Sequence, residues 1–150
     1  MFSARSKKSR VDGDWKMSSL LLNGQPYSSN YSYTGTYNTS CMTTVTYENT
    51  TTQSQWNWLF DKNGQLIWII NETDRYMDYN ATYSQCVAVY TTSNSGGTEL
   101  GVWQFTSDKE KMTITIVGEI LLFDILELRN KEMKLRGTVD GDLWEVTLTQ

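Results

Sequence analysis

The C-terminal part of the chain alternates strictly, and this limits what it can fold into more than any other feature. In Lys111-Met112-Thr113-Ile114-Thr115-Ile116, the apolar Met112, Ile114 and Ile116 take every second position. That is the period-two pattern of a strand with one buried face. Residues 132–139 repeat it, with Met133, Leu135 and Val139 on one face and Lys134, Arg136 and Thr138 on the other. Residues 143–150 repeat it again through Trp144, Val146 and Leu148. Between them Phe123, Ile125 and Leu128 fall out of step, and the offset of three predicts a β-bulge around Leu126 and Glu127. Polar turns at 108–110, 129–132 and 140–142 join these segments into an antiparallel meander.

Further upstream, Trp56, Trp58 and Phe60 share a face, Asp61-Lys62-Asn63-Gly64 reads as a turn, and 66–70 returns as the second arm of a hairpin. No 3.6-residue apolar stripe persists beyond two turns, so no helix is expected. About eight or nine short strands predict a closed barrel or a sandwich. At 150 residues the length suits one domain. The longest apolar stretches, 66–70 and 119–128, are strand-sized and well short of the ~20 residues that cross a bilayer.

Charge and composition narrow the chemistry. Five of the thirteen basic residues, Arg5, Lys7, Lys8, Arg10 and Lys16, lie in the first sixteen positions; from residue 17 onward eight basic residues face fifteen acidic ones. A body of that sign repels phosphate backbones, so no nucleic-acid partner is expected. Histidine is absent, which removes the commonest general base and the commonest zinc ligand. Two cysteines, Cys41 and Cys86, do not complete a metal site; they read either as one disulfide or as two unrelated buried thiols. No metal and no cofactor is expected. The acidic pairs Asp12/Asp14, Asp124/Glu127 and Asp140/Asp142 fall in or beside turns or the bulge and read as solvated turn acids. The chain is therefore not expected to be an enzyme.

One region differs from the rest. Residues 17–60 hold no lysine or arginine and a single acid, Glu48, and are rich in Ser, Thr, Asn, Gln and Tyr; all nine tyrosines lie between Tyr27 and Tyr90. Such a surface suits an ordinary exported protein, and it also suits sugar binding, where rings stack on aromatics and hydroxyls meet amides.

Gly13-Asp14-Trp15 opens the ordered part of the chain, and the spacing returns as Gly101-Val102-Trp103. In a small barrel an indole can plug the floor, while a glycine two positions earlier on the same face leaves room for a neighbouring backbone or ring. With Cys41, Cys86, the run Phe123, Ile125, Leu128 and the pair Met133, Leu135, this order of motifs resembles the lipocalin-like domains of small exported lipoproteins from Bacteroidetes-type bacteria. The resemblance covers 11–150. It implies an all-β, antiparallel up-and-down barrel of about eight strands, with an elaborated polar loop over 27–52 and residues 1–10 as an N-terminal tether. Gly13 and Trp15 would form the structural plug. It implies export to the periplasm, outer membrane or cell surface, with Cys41 and Cys86 paired. Phe2-Ser3-Ala4 ahead of Arg5 resembles the end of a lipoprotein signal altered at the acylated position, so membrane attachment is expected only through a lipid anchor.

The implied function is a non-enzymatic module that binds one small apolar ligand in the barrel. Its candidate lining is Trp56, Trp58, Phe60, Trp68, Trp103, Phe105 and Phe123, although these rings read first as filling the barrel as core. The alternative is an accessory subunit of an envelope protein complex, with a filled barrel and the polar tyrosine-rich face as its contact surface. A weaker alternative is glycan binding.

Overall fold

The computed structural model describes residues 4–150, with side chains from residue 7 onward. The lipoprotein-signal reading of residues 2–3 lies outside the described residues. The elements are α1 (Ala4–Val11), β1 (Gly13–Leu22), β2 (Gln25–Pro26), β3 (Tyr31–Asn38), β4 (Thr44–Phe60), β5 (Gln65–Met77), α2 (Tyr79–Gln85), β6 (Tyr90–Phe105), β7 (Lys111–Ile116), β8 (Glu119–Leu128), β9 (Glu132–Val139) and β10 (Asp142–Thr149). The strands follow the order β2-β1-β10-β9-β8-β7-β6-β5-β4-β3, and β1 also pairs with β4. That extra pairing, from Gly13 opposite Phe60 to Lys16 opposite Asn57, closes β1 and β4–β10 into an eight-stranded antiparallel barrel. β2 and β3 stand outside the ring.

The chain divides into two compact units. The first holds the residues up to Tyr27 with 55–70 and 97–150; the second holds 28–54 and 71–96. The barrel closure and the meander belong to the first unit. The alternation read from the sequence is realised there: Met112, Ile114, Met133, Leu135 and Leu148 are fully buried, each contributing roughly 1.5–3 kcal/mol by leaving water. The register of β8 against β9 shifts between Ile125 and Glu127, the bulge that the offset of three predicts. It lets Ile125 and Leu128 both pack on the core. The hairpin turn forms at 61–64, where Gly64 takes a φ of 97° that an L-residue adopts only under strain.

The two Gly-x-Trp motifs have different local reasons. Gly13 has a φ of 140° and starts β1 immediately after Asp12. Trp15 is buried opposite Trp58, and its Nε1–H donates to Val11 O at 2.8 Å, fixing the strand to the end of α1. At Gly101 the constraint is proximity. A Cβ there would overlap Thr115 O and lie 3.0 Å from Ile116 Cβ, so glycine is what lets β6 and β7 meet. Trp103 then donates its backbone N–H to Gly64 O at 2.9 Å and its indole N–H to Asp61 O at 2.8 Å, tying β6 to the hairpin turn.

Two helices correct the expectation of none. α1 falls where a tether is expected; Val11, at its end, is fully buried, and Lys7 Nζ donates to Lys109 O at 3.0 Å. α2 belongs to the second unit. It is capped by Asp78, whose carboxylate accepts from Ala81 N–H at 3.0 Å, and it ends at Cys86 in a left-handed conformation.

In the second unit the elaborated polar segment is built as a hairpin. β3 pairs with β4 from Tyr31 opposite Thr51 to Asn38 opposite Thr44, as its tyrosines and β-branched threonines favour. Cys41 and Cys86 form a disulfide with Cα atoms 5.9 Å apart, closing a separation of 45 residues. Tyr47 is buried over Gly35, where a Cβ would come within 2.6 Å of its hydroxyl.

Candidate functional site

The seven aromatic residues read as a lining come together in the first unit. Trp58 and Phe123 are fully buried, Phe60, Trp68 and Trp103 nearly so, and Trp56 and Phe105 pack against them half-buried. Trp58 is the hub, with its ring centroid 4.9 Å from Trp68, 6.2 Å from Phe60 and 6.3 Å from Trp56 and Phe123. Phe60 meets Trp103 edge-on at 5.7 Å, and Trp103 meets Phe105 at 5.3 Å. At the other side Trp56 stands perpendicular to Trp144 at 6.0 Å and edge-on to Trp68 at 5.9 Å. Trp144, absent from the sequence-derived lining, is half-buried against the same cluster.

Hydrogen bonding divides these tryptophans into two kinds. Trp15 and Trp103 each donate to a backbone carbonyl at 2.8 Å and are structural anchors. The indole N–H groups of Trp56, Trp58 and Trp68 are buried and have no hydrogen-bond partner among the described residues. Leaving such a donor unmatched costs about 1–3 kcal/mol, and edge-to-face rings offer only a weak N–H···π contact in return. Three such donors sit on three mutually touching rings inside an otherwise apolar cluster. No periodicity in the sequence marks this distinction, although the two anchored indoles are those of the two Gly-x-Trp motifs.

Five of the six carboxylates read as turn acids have structural partners. Asp12 accepts from Lys62 N–H at 2.9 Å, Asp14 from Asn57 Nδ2 at 2.8 Å, and Asp142 from Asn23 Nδ2 at 2.9 Å. Asp124 lies 3.6 Å from Lys111 and 3.9 Å from Arg136, and Glu127 pairs with Arg129 and Lys134. Asp108 is held below the usual carboxylate range, first by the Thr106 hydroxyl and then by Glu110 N–H. No group of three or more metal-ligating side chains occurs among the described residues, and none of the described helices is long and apolar enough to cross a membrane.

No protein-family model matches the chain, and no curated protein does. Among solved structures, a lipocalin-like protein from Bacteroides uniformis aligns over 94% of this chain and 98% of its own, at 9% identity and a TM-score of 0.46.

Proposed function

We propose that the chain is a non-enzymatic binding module whose barrel receives one small, largely apolar ligand that carries a hydrogen-bond acceptor. The observation that carries this reading is the set of unmatched, buried indole N–H groups on Trp56, Trp58 and Trp68. A carbonyl, ester or carboxyl oxygen placed beside them would satisfy donors that the protein leaves unmet, while the surrounding rings cover the apolar remainder. Phe60, Trp103 and Phe123 belong to the packed floor of this cluster. The ligand would sit toward Trp56 and Trp144, where the rings are only half-buried. The disulfide suits an oxidising compartment, and we read the protein as exported on that ground.

The test is native mass spectrometry of the protein purified from its own source, beside the Trp56→Phe/Trp58→Phe/Trp68→Phe triple variant. The reading predicts a stoichiometric small molecule on the wild type that the variant retains poorly. A bare polypeptide whose tryptophan fluorescence also ignores decanoic acid and 2-undecanone would overturn it.

A further inference from the structure

The second unit holds a cleft of about 490 Å³ formed by side chains of β3, β4 and β5, separate from the aromatic cluster just described. Its make-up is set by strand register. Tyr31 lies opposite Thr51 and Tyr33 opposite Asn49, so two rings spaced two residues apart run beside two polar side chains. β5 adds Asp74, Arg75 and Tyr76. The rings are not core: Tyr31 is 66% exposed, Tyr33 59% and Tyr76 42%, against 7% for Tyr47 in the same unit.

The polar groups between the rings are held in place. Thr51 donates its hydroxyl to Asp74 Oδ1 at 2.7 Å. Asn49 accepts from Met77 N–H at 2.8 Å, which holds its amide in one orientation with the NH2 group as donor. The single cation of the cleft is engaged elsewhere: the Arg75 guanidinium lies 3.5 Å from the centroid of the Tyr90 ring, and Tyr90 is itself pinned by accepting from Glu48 N–H at 3.1 Å. The cleft thus offers exposed rings, one carboxylate, one amide and hydroxyls, with its one guanidinium stacked on Tyr90.

We propose that this cleft is a second binding site, for a neutral oligosaccharide. A pyranose ring has an apolar C–H face that stacks on an aromatic ring, and hydroxyls that donate to a carboxylate and accept from an amide. Both requirements are met within one concavity of the size usual for small-molecule sites, about 300–1,000 Å³. A protein partner would instead bury roughly 800 Å² on each side, far more than these few residues present.

The test uses the intact chain on an array of neutral and acidic oligosaccharides, followed by calorimetric titration of the best neutral trisaccharide. Tyr31→Ala, Tyr33→Ala and Asp74→Asn are the site variants, with circular dichroism to verify folding. Each should weaken binding by about tenfold, while Trp56→Phe leaves it unchanged. That last variant separates this site from the barrel reading. Absence of any neutral sugar binding at millimolar concentration, binding confined to acidic sugars, or an affinity indifferent to the two tyrosines would each overturn the proposal.

Discussion

Replacing Trp15 and Trp58, each in turn, by phenylalanine separates structural tryptophans from ligand-facing ones. The two are cross-strand partners in the β1–β4 pairing, and both are fully buried. Each substitution removes the same atoms from the same core, so the transfer and cavity terms nearly cancel between them. What differs is the N–H. Trp15→Phe deletes the 2.8 Å bond to Val11 O and deprives that carbonyl of its indole donor, a loss of about 1–3 kcal/mol. Trp58→Phe deletes a donor with no partner and so removes a desolvation penalty of similar size. The Trp15 variant should therefore be the less stable of the two by about 2–6 kcal/mol, or about 4–24 °C in Tm for a chain of this length. Urea unfolding of ligand-stripped protein, followed by far-ultraviolet circular dichroism, reads the difference. Equal destabilisation, or a Trp58 variant weaker than the Trp15 variant, would refute the division of the tryptophans.

Three further outcomes follow from the same structure. Gly101→Ala should cost about 1–3 kcal/mol in chemical unfolding because its Cβ would overlap the Thr115 carbonyl, whereas Gly97→Ala, with nothing within 4 Å, should stay within about 0.5 kcal/mol of wild type. The Cys41→Ser/Cys86→Ser variant should lose up to about 4 kcal/mol, the chain-entropy value for a 45-residue separation, with the loss seen in hydrogen exchange at 28–54 and 71–96. Tyr47 is pushed up to about 12, first by its hydrogen bond with Tyr79 and then by burial. Its native state thus holds the proton more tightly than the unfolded chain does. Its contribution is complete below pH 10 and is lost as pH rises toward 12, which an alkaline unfolding series on wild type and Tyr47→Phe would show as a smaller decline in the variant.

The sequence-to-structure correspondence is best where burial is one-sided. β7, β9 and β10 each bury alternate residues against one core, so periodicity alone locates them, and the slip at Ile125 and Leu128 locates the bulge. The helices were illegible for the opposite reason. In α2 only Thr82 is buried, and it serves the fold by accepting from Val89 N–H at 3.0 Å; a seven-residue helix with one buried hydroxyl has no apolar stripe to detect. α1 reads as a run of cations because Val11, its buried residue, stands at its very end. For the candidate site, the aromatic content of the barrel was legible, but its division into anchored and unmatched indoles depends on which carbonyls they reach: Val11 O, four residues from Trp15, and Asp61 O, brought to Trp103 by tertiary contact. The tyrosine cleft was half legible: the stretch 17–60, with Glu48 as its single charge, read as a sugar-compatible surface and contains Tyr31, Tyr33 and Asn49, while Asp74 and Tyr76 come from a separate, charged stretch of β5 and join them only through strand pairing.

The most direct test of the central claim observes the indole protons themselves. In nitrogen-edited proton spectra of the labelled protein, the Nε1–H signals are assigned by single Trp→Phe substitutions and followed while decanoic acid, or the molecule recovered with the native protein, is added. The account predicts downfield movement of the Trp56, Trp58 and Trp68 signals, with those of Trp15 and Trp103, already bonded to Val11 O and Asp61 O, holding still. Uniform movement of all these signals, or none in the three unmatched ones while ligand binds, would contradict it.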